Sequence, residues 1–390
     1  MKLLIDVGST YFKVCANGNI THYFRDFDID IYDDLLNKCK DILKDFKKDE
    51  VFICSSANGG LSTLIIGATE SFSIKYASNI AYNSGINIID TVLFNNIDQY
   101  EIPTDTIDVV IIVGGIDKVN NIFDDRLFSY LEKVNYKNIV YVGSDSLNDY
   151  LSKKIDNLQL LGNIINHKLQ MEEDNLKNYL VDLYGENIIG KEDIKHLYNI
   201  TSNQIYSTPY IVNKSLPFID TKLTVVDPFI VIDIGGATTD IHYSKDLVED
   251  NIITSNEYDR LVFKKLGVYK SKESLVFSAK NNEFVYELLS YLKTTENMLD
   301  KDDGSNIKLL MQLSIFLALC KVSHHHNKYL NIKLNTLNSI VFTGGITKVL
   351  TKEDIEQIVK FVYQTSLNYH TYPQVIIDTN YSIWTVGINA

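Results

Sequence analysis

Apolar residues along the chain gather into short runs that each stop at glycine, the pattern of strands buried on both faces. Met1–Val7 ends at Gly8, and Val51–Ser55 is followed by the turn Asn58-Gly59-Gly60. Val109–Val113 ends at Gly114-Gly115, Ile139–Val142 at Gly143, and Phe229–Ile234 at Gly235-Gly236. Phe12–Ala16 and Ile20–Phe24 extend the first run into a meander. A different period governs Tyr32–Phe46, where Leu35, Leu36, Cys39 and Leu43 fall on one helical face. The same spacing predicts helices over Arg126–Val134, Glu283–Leu299, Ile307–His325 and Lys352–Thr365. Ser339–Phe342 and Val375–Ile377 read as further strands, and the apolar segment Ile383–Ala390 as a tucked-in end. Strands alternating with helices predict an α/β protein. Between about 158 and 221 the period weakens, and this stretch reads as a helical insertion. Pro209, Pro217 and Pro228 mark a boundary before the strand at Phe229.

Composition narrows the picture. The chain has 390 residues, of which 45% are hydrophobic and 22% charged, enough to build two domains with a sizeable core. The net charge of -13 repels phosphate backbones and anionic membranes, so nucleic acid and membrane are not expected partners. A nucleotide stays compatible, because backbone N–H groups can hold phosphates without a basic surface. Cys15, Cys39, Cys54 and Cys320 are scattered, which suits a reducing cytoplasm and argues against a disulfide or iron–sulfur scaffold. The start, MKLLIDVGST, turns polar too early for a signal peptide, and no apolar run approaches a membrane span. A cytoplasmic location is therefore expected.

One phrase recurs more than 200 residues apart: Asp6-Val7-Gly8-Ser9-Thr10 and Asp233-Ile234-Gly235-Gly236-Ala237-Thr238-Thr239-Asp240. Each is a buried strand carrying Asp, one more apolar residue, then glycine with small hydroxyl residues. Such hairpins present N–H groups with no large side chain in the way, so phosphate oxygens can come close. The Asp at the strand end can hold Mg²⁺ through water. Two facing hairpins would clamp the β- and γ-phosphates, with Lys13 adding a fixed positive charge. A third run, Ile340–Phe342 leading to Thr343-Gly344-Gly345, would let the backbone lie against a flat ring such as adenine, although a tight turn explains the glycine pair equally well.

In this order the three phrases resemble the actin, sugar-kinase and DnaK-type ATPase superfamily. A narrower resemblance, to the GlmL/MutL family associated with glutamate mutase, rests on three segments. They are Asp233–His242, Cys54–Leu61 with Ile65-Ile66-Gly67, and Val113-Gly-Gly-Ile-Asp117 with Asn120. Tyr11-Phe12 before Lys13 and Lys118-Val119 after Asp117 depart from that pattern. The resemblance implies a two-lobed actin-like, ribonuclease H-like α/β fold with a nucleotide cleft between the lobes. Lobe one is expected over 1–225, lobe two over 226–378, with 379–390 packing back on the first. It further implies ATP and Mg²⁺ as ligands and a reactivating role for an adenosylcobalamin-dependent mutase.

The expected reaction is ATP hydrolysis by water attack on the γ-phosphate. Asp6 and Asp233 are the expected metal and water-positioning residues, with Asp240 as a second candidate for the water. Gly8, Ser9, Thr10, Lys13, Gly235, Gly236, Thr238 and Thr239 are expected to hold phosphates, and Gly344 and Gly345 the adenosine. An actin-like filament protein of the plasmid-segregation kind and a small-molecule kinase remain rival readings. The first needs self-complementary surfaces that one sequence does not reveal. The second needs a carboxylate base beside an acceptor hydroxyl, and none can be identified. His324-His325-His326 is not read as a metal site, since consecutive helical residues point in different directions.

Overall fold

The computed structural model describes residues 2–8, 10–26, 28–56, 60–116, 122–190, 195–248, 257–269, 271–301, 304–323 and 332–388. Contacts group the chain into two compact units. One holds Met1–Val7 and Asp26–Tyr210; the other holds Gly8–Arg25, Ile211–Asn251 and Glu257–Ala390. Asn58, Gly59, Asp117, Asn120 and His324–His326 lie outside the described residues.

In the first unit β1 (Leu3–Val7) runs parallel to β4 (Val51–Ser55), with Asp6 opposite Cys54. β4 in turn runs parallel to β10 (Tyr206–Ser207). The long connection from β4 to β10 contains a second sheet. Its strands are β5 (Ser62–Gly67), β6 (Asn87–Leu93), β7 (Ile107–Val113), β8 (Tyr136–Tyr141) and β9 (Gln159–Leu160). They pair in the order β6-β5-β7-β8-β9, all parallel. Counted from β5 this is 2-1-3-4-5, the order of doubly wound α/β sheets. All seven residues of β7 are buried, as a central parallel strand requires. Ile66, Val110, Ile112, Leu127 and Tyr141 belong to the core built around it.

The second unit is ordered β13-β12-β11-β14-β15, where β11 is Phe229–Ile234, β12 Thr239–Ser244, β13 Tyr258–Phe263, β14 Ser339–Gly344 and β15 Gln374–Ile377. β11, β12 and β13 are antiparallel; β11, β14 and β15 are parallel. This 3-2-1-4-5 order is the ribonuclease H-like arrangement, and the parallel set β1, β4, β10 repeats that of β11, β14, β15. The helix Ile307–Ser323 is apolar all round and buries thirteen residues, so it serves as a core element. The unit also holds a hairpin of β2 (Tyr11–Ala16) and β3 (Asn19–Phe24). Asn17 and Gly18 turn it with φ of 52° and 81°, the paired positive values of a type I′ turn.

The α/β class read from the sequence holds; several boundaries differ. The hairpin β2–β3 and residues 211–225 group with the later half. There Asn213 donates to the Tyr258 carbonyl and faces His242 Nδ1 at 3.1 Å. The chain end packs on the same segment, Gly387 N–H donating to Ser215 Oγ at 2.8 Å. The stretch 158–221 is only partly helical, since it contains β9 and β10 beside the helices Asp174–Gly190 and Thr208–Ser215. The helix expected over Glu283–Leu299 covers only Val285–Tyr291. Lys293 turns left-handed at φ 55°, Thr294 N–H reaches back to Leu289 O, and Lys293 N–H to Ser290 O. That is a Schellman stop with lysine in the position usually held by glycine.

Candidate functional site

The two repeated loops close in the same way. Gly8 N–H donates to Tyr11 O at 3.0 Å, and Gly235 N–H to Thr238 O at 2.9 Å. A Cβ on Gly8 would stand 2.8 Å from Tyr11 O, so the turn admits only glycine there. The loops are neighbours: a Cβ on Gly236 would come within 3.5 Å of Thr10 Oγ1. Ser9 lies outside the described residues.

A segment that the sequence did not single out supports the second loop. Val268 and Tyr269 N–H donate to Gly235 and Gly236 O, and Ser271 Oγ donates to Ala237 O. Gly267 packs so closely on Ala237 that no side chain fits. The loop carbonyls are thus occupied from behind. The amides of Gly236, Ala237 and Thr238 donate to no acceptor among the described residues. Consecutive unspent N–H groups on a glycine turn form an anion-binding concavity.

The carboxylates fall into three environments. Asp6 is fully buried and accepts from Thr208 Oγ1 at 2.5 Å and Cys54 Sγ at 3.6 Å. Asp233 is half-buried on β11, opposite Thr343. Its Oδ1 occupies the space that a side chain on residue 344 would need, and Gly344 has φ of 86°. Gly344 is therefore required by the Asp233 carboxylate, whereas a Cβ on Gly345 would meet only Ile234 O at 3.7 Å. Asp240 is buried, and both its oxygens are engaged. Arg260 Nε and Nη2 donate to Oδ1 at 3.1 and 2.6 Å, and Thr238 Oγ1 donates to Oδ2 at 3.2 Å. This geometry makes Asp240 an anchor of the loop.

Thr239 departs from its expected role. Its hydroxyl is buried against Leu266 O at 3.0 Å and Ser314 Oγ at 2.8 Å, leaving Thr238 and the backbone as the polar face of the loop. Lys13 Nζ sits 4.9 Å from the centre of the Tyr381 ring, and Lys348 Nζ sits 5.2 Å from it, both within cation–π range. His22 meets the same ring edge-on at 4.9 Å. Tyr381 is only 4% exposed and is held at φ 51° by the turn around Asp378. That carboxylate accepts from Ser382 N–H and Oγ, Ile383 N–H and Thr343 Oγ1. Burial, with Asp233 among the neighbouring charges, pushes the Tyr381 phenol up to about 12. Nothing in the sequence pattern pointed to Tyr381; Lys348, three residues after Gly345, was at least adjacent to a recognised phrase.

Among the described residues no three His, Cys, Asp or Glu side chains converge on a metal position. A cation here would rely on one or two carboxylates, water and phosphate oxygens, the usual manner of magnesium beside nucleotides. Asp233 fits that role, because Gly344 leaves its carboxylate room and it is not sealed in the core.

Paired glycine hairpins, one on a ribonuclease H-like sheet, define an α/β protein. A family profile described as MutL protein matches residues 2–390, and the chain belongs to that family. Protein MutL of Clostridium tetanomorphum is 24% identical over 267 residues, which cover 63% of this chain and 58% of that protein. The chain thus matches somewhat over half the length of that relative. Among solved structures, the activator of 2-hydroxyisocaproyl-CoA dehydratase from Clostridium difficile with bound ADPNP aligns at 11% identity. The alignment covers 99% of this chain and 92% of the activator, with a TM-score of 0.29. A ROK family protein from Streptococcus pneumoniae in complex with sucrose aligns at 11% identity over 99% and 97%, with a TM-score of 0.30. Among the described residues no helix is long and apolar enough to cross a membrane.

Proposed function

We propose that the protein binds ATP with Mg²⁺ at the two glycine hairpins and hydrolyses it, in the service of an adenosylcobalamin-dependent mutase. The observation that carries the nucleotide reading is the row of unspent amides at Gly236, Ala237 and Thr238, beside Thr10. These groups bind and orient phosphate oxygens. Gly344 ends β14 of the same sheet, Gly345 follows it, and both are proposed to face the adenosine. Asp233 holds the metal through water and orients the attacking water; Asp6, two residues before Gly8, is the second candidate carboxylate. Bound Mg²⁺ would neutralise charge on the phosphates. The mutase partner rests on family membership and on the motif resemblance.

A melting experiment tests the reading. A ligand that binds only the folded state stabilises it by about 2.7 kcal/mol at a hundredfold excess over Kd. ATP–Mg²⁺ at millimolar concentration is expected to raise Tm, and an unchanged Tm overturns the proposal. Asp233→Ala is expected to abolish turnover while ATP still binds, because it removes transition-state more than ground-state interactions. Wild-type turnover in that variant removes Asp233 from the mechanism. Binding of a candidate adenosylcobalamin-dependent mutase should differ between ATP, ADP and no nucleotide, and equal affinities would remove the partner role.

A further inference from the structure

Tyr381 occupies a backbone position that does not suit it. Its φ of 51° lies in the left-handed region, where Asn is far better tolerated than an aromatic residue, and Asn380 stands immediately before it. Strain of this kind persists where the surroundings over-determine it, and it gathers at functional sites. Here the surroundings are a tight turn. Tyr381 N–H donates to Asp378 O at 3.1 Å, and Asp378 N–H donates to Phe342 O at 2.9 Å. The Asp378 carboxylate takes up Ser382, Ile383 and Thr343. The turn thereby fixes the Tyr381 ring at the ends of β14 and β15.

Two further segments bring ammonium groups to that ring. Lys13 comes from β2, the strand whose Tyr11 carbonyl closes the first glycine hairpin, and places Nζ 4.9 Å from the ring centre. Lys348 ends the short helix Gly345–Lys348 that begins directly after the Gly344 turn. Its Nζ lies 5.2 Å from the ring centre and donates to Thr379 O at 3.4 Å. His22, opposite Lys13 in the β2–β3 ladder, meets the ring edge-on. Burial, then Lys348 and Lys13, hold His22 below 6.5, so at neutral pH the positive charge at the ring belongs to the two lysines. Asp233 is among the charges that act on the Tyr381 phenol, which puts this cluster next to the carboxylate proposed to hold magnesium. The element common to both ammonium groups is the ring.

We propose, resting on the nucleotide reading above, that Tyr381 is a positioning residue of that site. Its ring fixes Lys13 and Lys348 beside Asp233, so that the two ammonium groups meet the phosphate chain while the carboxylate meets the magnesium. A lysine ammonium rides on a flexible four-carbon stem and loses rotamer freedom when it binds. A ring that holds the stem in advance removes part of that cost. The ring does this without its hydroxyl, which is buried and meets no hydrogen-bond partner among the described residues; the nearby Thr347 hydroxyl donates instead to Gly344 O at 3.2 Å. The backbone strain at residue 381 is thus tied to a side chain that organises two cations from distant parts of the sequence.

Two measurements on the full chain test this. Reductive methylation with isotope-labelled methyl groups keeps lysines charged and gives each an NMR signal, and Lys13→Arg and Lys348→Arg assign the two of interest. Both signals are expected to be displaced by the ring current, to lose the displacement in Tyr381→Leu, to keep it in Tyr381→Phe, and to move when ATP–Mg²⁺ is added. Calorimetry on the unmodified protein should show ATP–Mg²⁺ bound about tenfold more weakly by Tyr381→Leu, the scale of a desolvated cation–π contact, with the affinity restored in Tyr381→Phe. Lys348 is exposed, so Lys348→Met stays folded and should show a loss of the same order, which keeps the test decisive if Tyr381→Leu does not fold. Undisplaced lysine signals in the wild type overturn the inference. So does wild-type affinity in Tyr381→Leu or in Lys348→Met, and the nucleotide reading then still stands. A wild type that binds no ATP–Mg²⁺ while its lysine signals are displaced removes the nucleotide reading itself, and this inference with it.

Discussion

A methyl group at Gly344 would collide with the Asp233 carboxylate and would have to adopt φ 86°, so two independent penalties meet there. Gly344→Ala is expected to destabilise the protein by about 1–3 kcal/mol, the usual scale of left-handed strain, and to displace Asp233. Gly345→Ala should cost no more than about 0.5 kcal/mol, the scale of a substitution away from such features. Urea denaturation of the pair decides the matter, and equal losses would contradict it. In sequence the two glycines are indistinguishable, because φ and the path of a neighbouring carboxylate are set by the pairing of β11 with β14. Asp6, Gly8, Thr10, Asp233 and Gly235 were legible because a repeated phrase announces them. The opposite holds for Tyr381, whose place depends on Asp378 anchoring a turn far along the chain.

Two histidines give a residue-scale dependence on pH. His22 is held below its ordinary value of 6.5 by burial and then by Lys348 and Lys13. His242 is held well below 6.5 by complete burial and then by Arg260. The Asn213 amide donates to Tyr258 O, so its oxygen faces His242 Nδ1, which makes Nδ1 the donor and leaves Nε2 as a buried acceptor with no partner among the described residues. The unfolded chain therefore binds more protons than the folded one just below pH 6.5, and stability rises with pH through that window. It is fully present above 6.5 and is lost as pH falls. Tm should drop between pH 7.5 and 5.5, and drop less in His242→Gln. An identical slope in the variant would remove His242 from the account.

At the scale of elements, β12 and β13 are joined by an ion pair, Asp240–Arg260, that no sequence pattern announces. Asp240 and Arg260 sit diagonally across the ladder, where Asp240 faces Val262 and His242 faces Arg260. Their side chains are 9% and 4% exposed. Polar residues such as Asp240 and His242 argue for loop or chemistry when read alone, and only the partner strand shows them satisfied inside a sheet. The continuous apolar runs of β1, β4, β7, β11 and β14 needed no partner to be recognised, which is why those strands were found. Asp240→Ala removes the carboxylate that takes two hydrogen bonds from the buried Arg260 guanidinium and is expected to cost about 3–5 kcal/mol. Adding Arg260→Leu should recover part of that loss, since the buried charge is then gone. If Asp240→Ala instead left stability intact and removed only turnover, water positioning would be the better account of Asp240.

At the scale of the whole molecule, both glycine hairpins, Lys13, Asp233, the Gly344 turn and Tyr381 belong to one compact unit, although they are drawn from four regions of sequence. The sequence boundary at 225 hid this, because chain order suggested that residues 8–25 fold with what surrounds them. The inserted sheet β5 to β9 was read only as alternating elements, since its order depends on which strands pair. These placements make a testable pattern of hydrogen exchange. ATP–Mg²⁺ bound by the unspent amides would slow opening wherever the ligand contacts the fold, as local exchange reports local stability. Protection should rise together in peptides covering 8–16, 235–244 and 344–348, and in 378–383, where Asp378 ties the Tyr381 turn to Thr343 beside Asp233. β7, at 107–113 in the other unit's parallel sheet, should be unchanged by the nucleotide. Protection confined to β7 and its neighbours would move the nucleotide to the doubly wound sheet and leave the hairpins without a ligand.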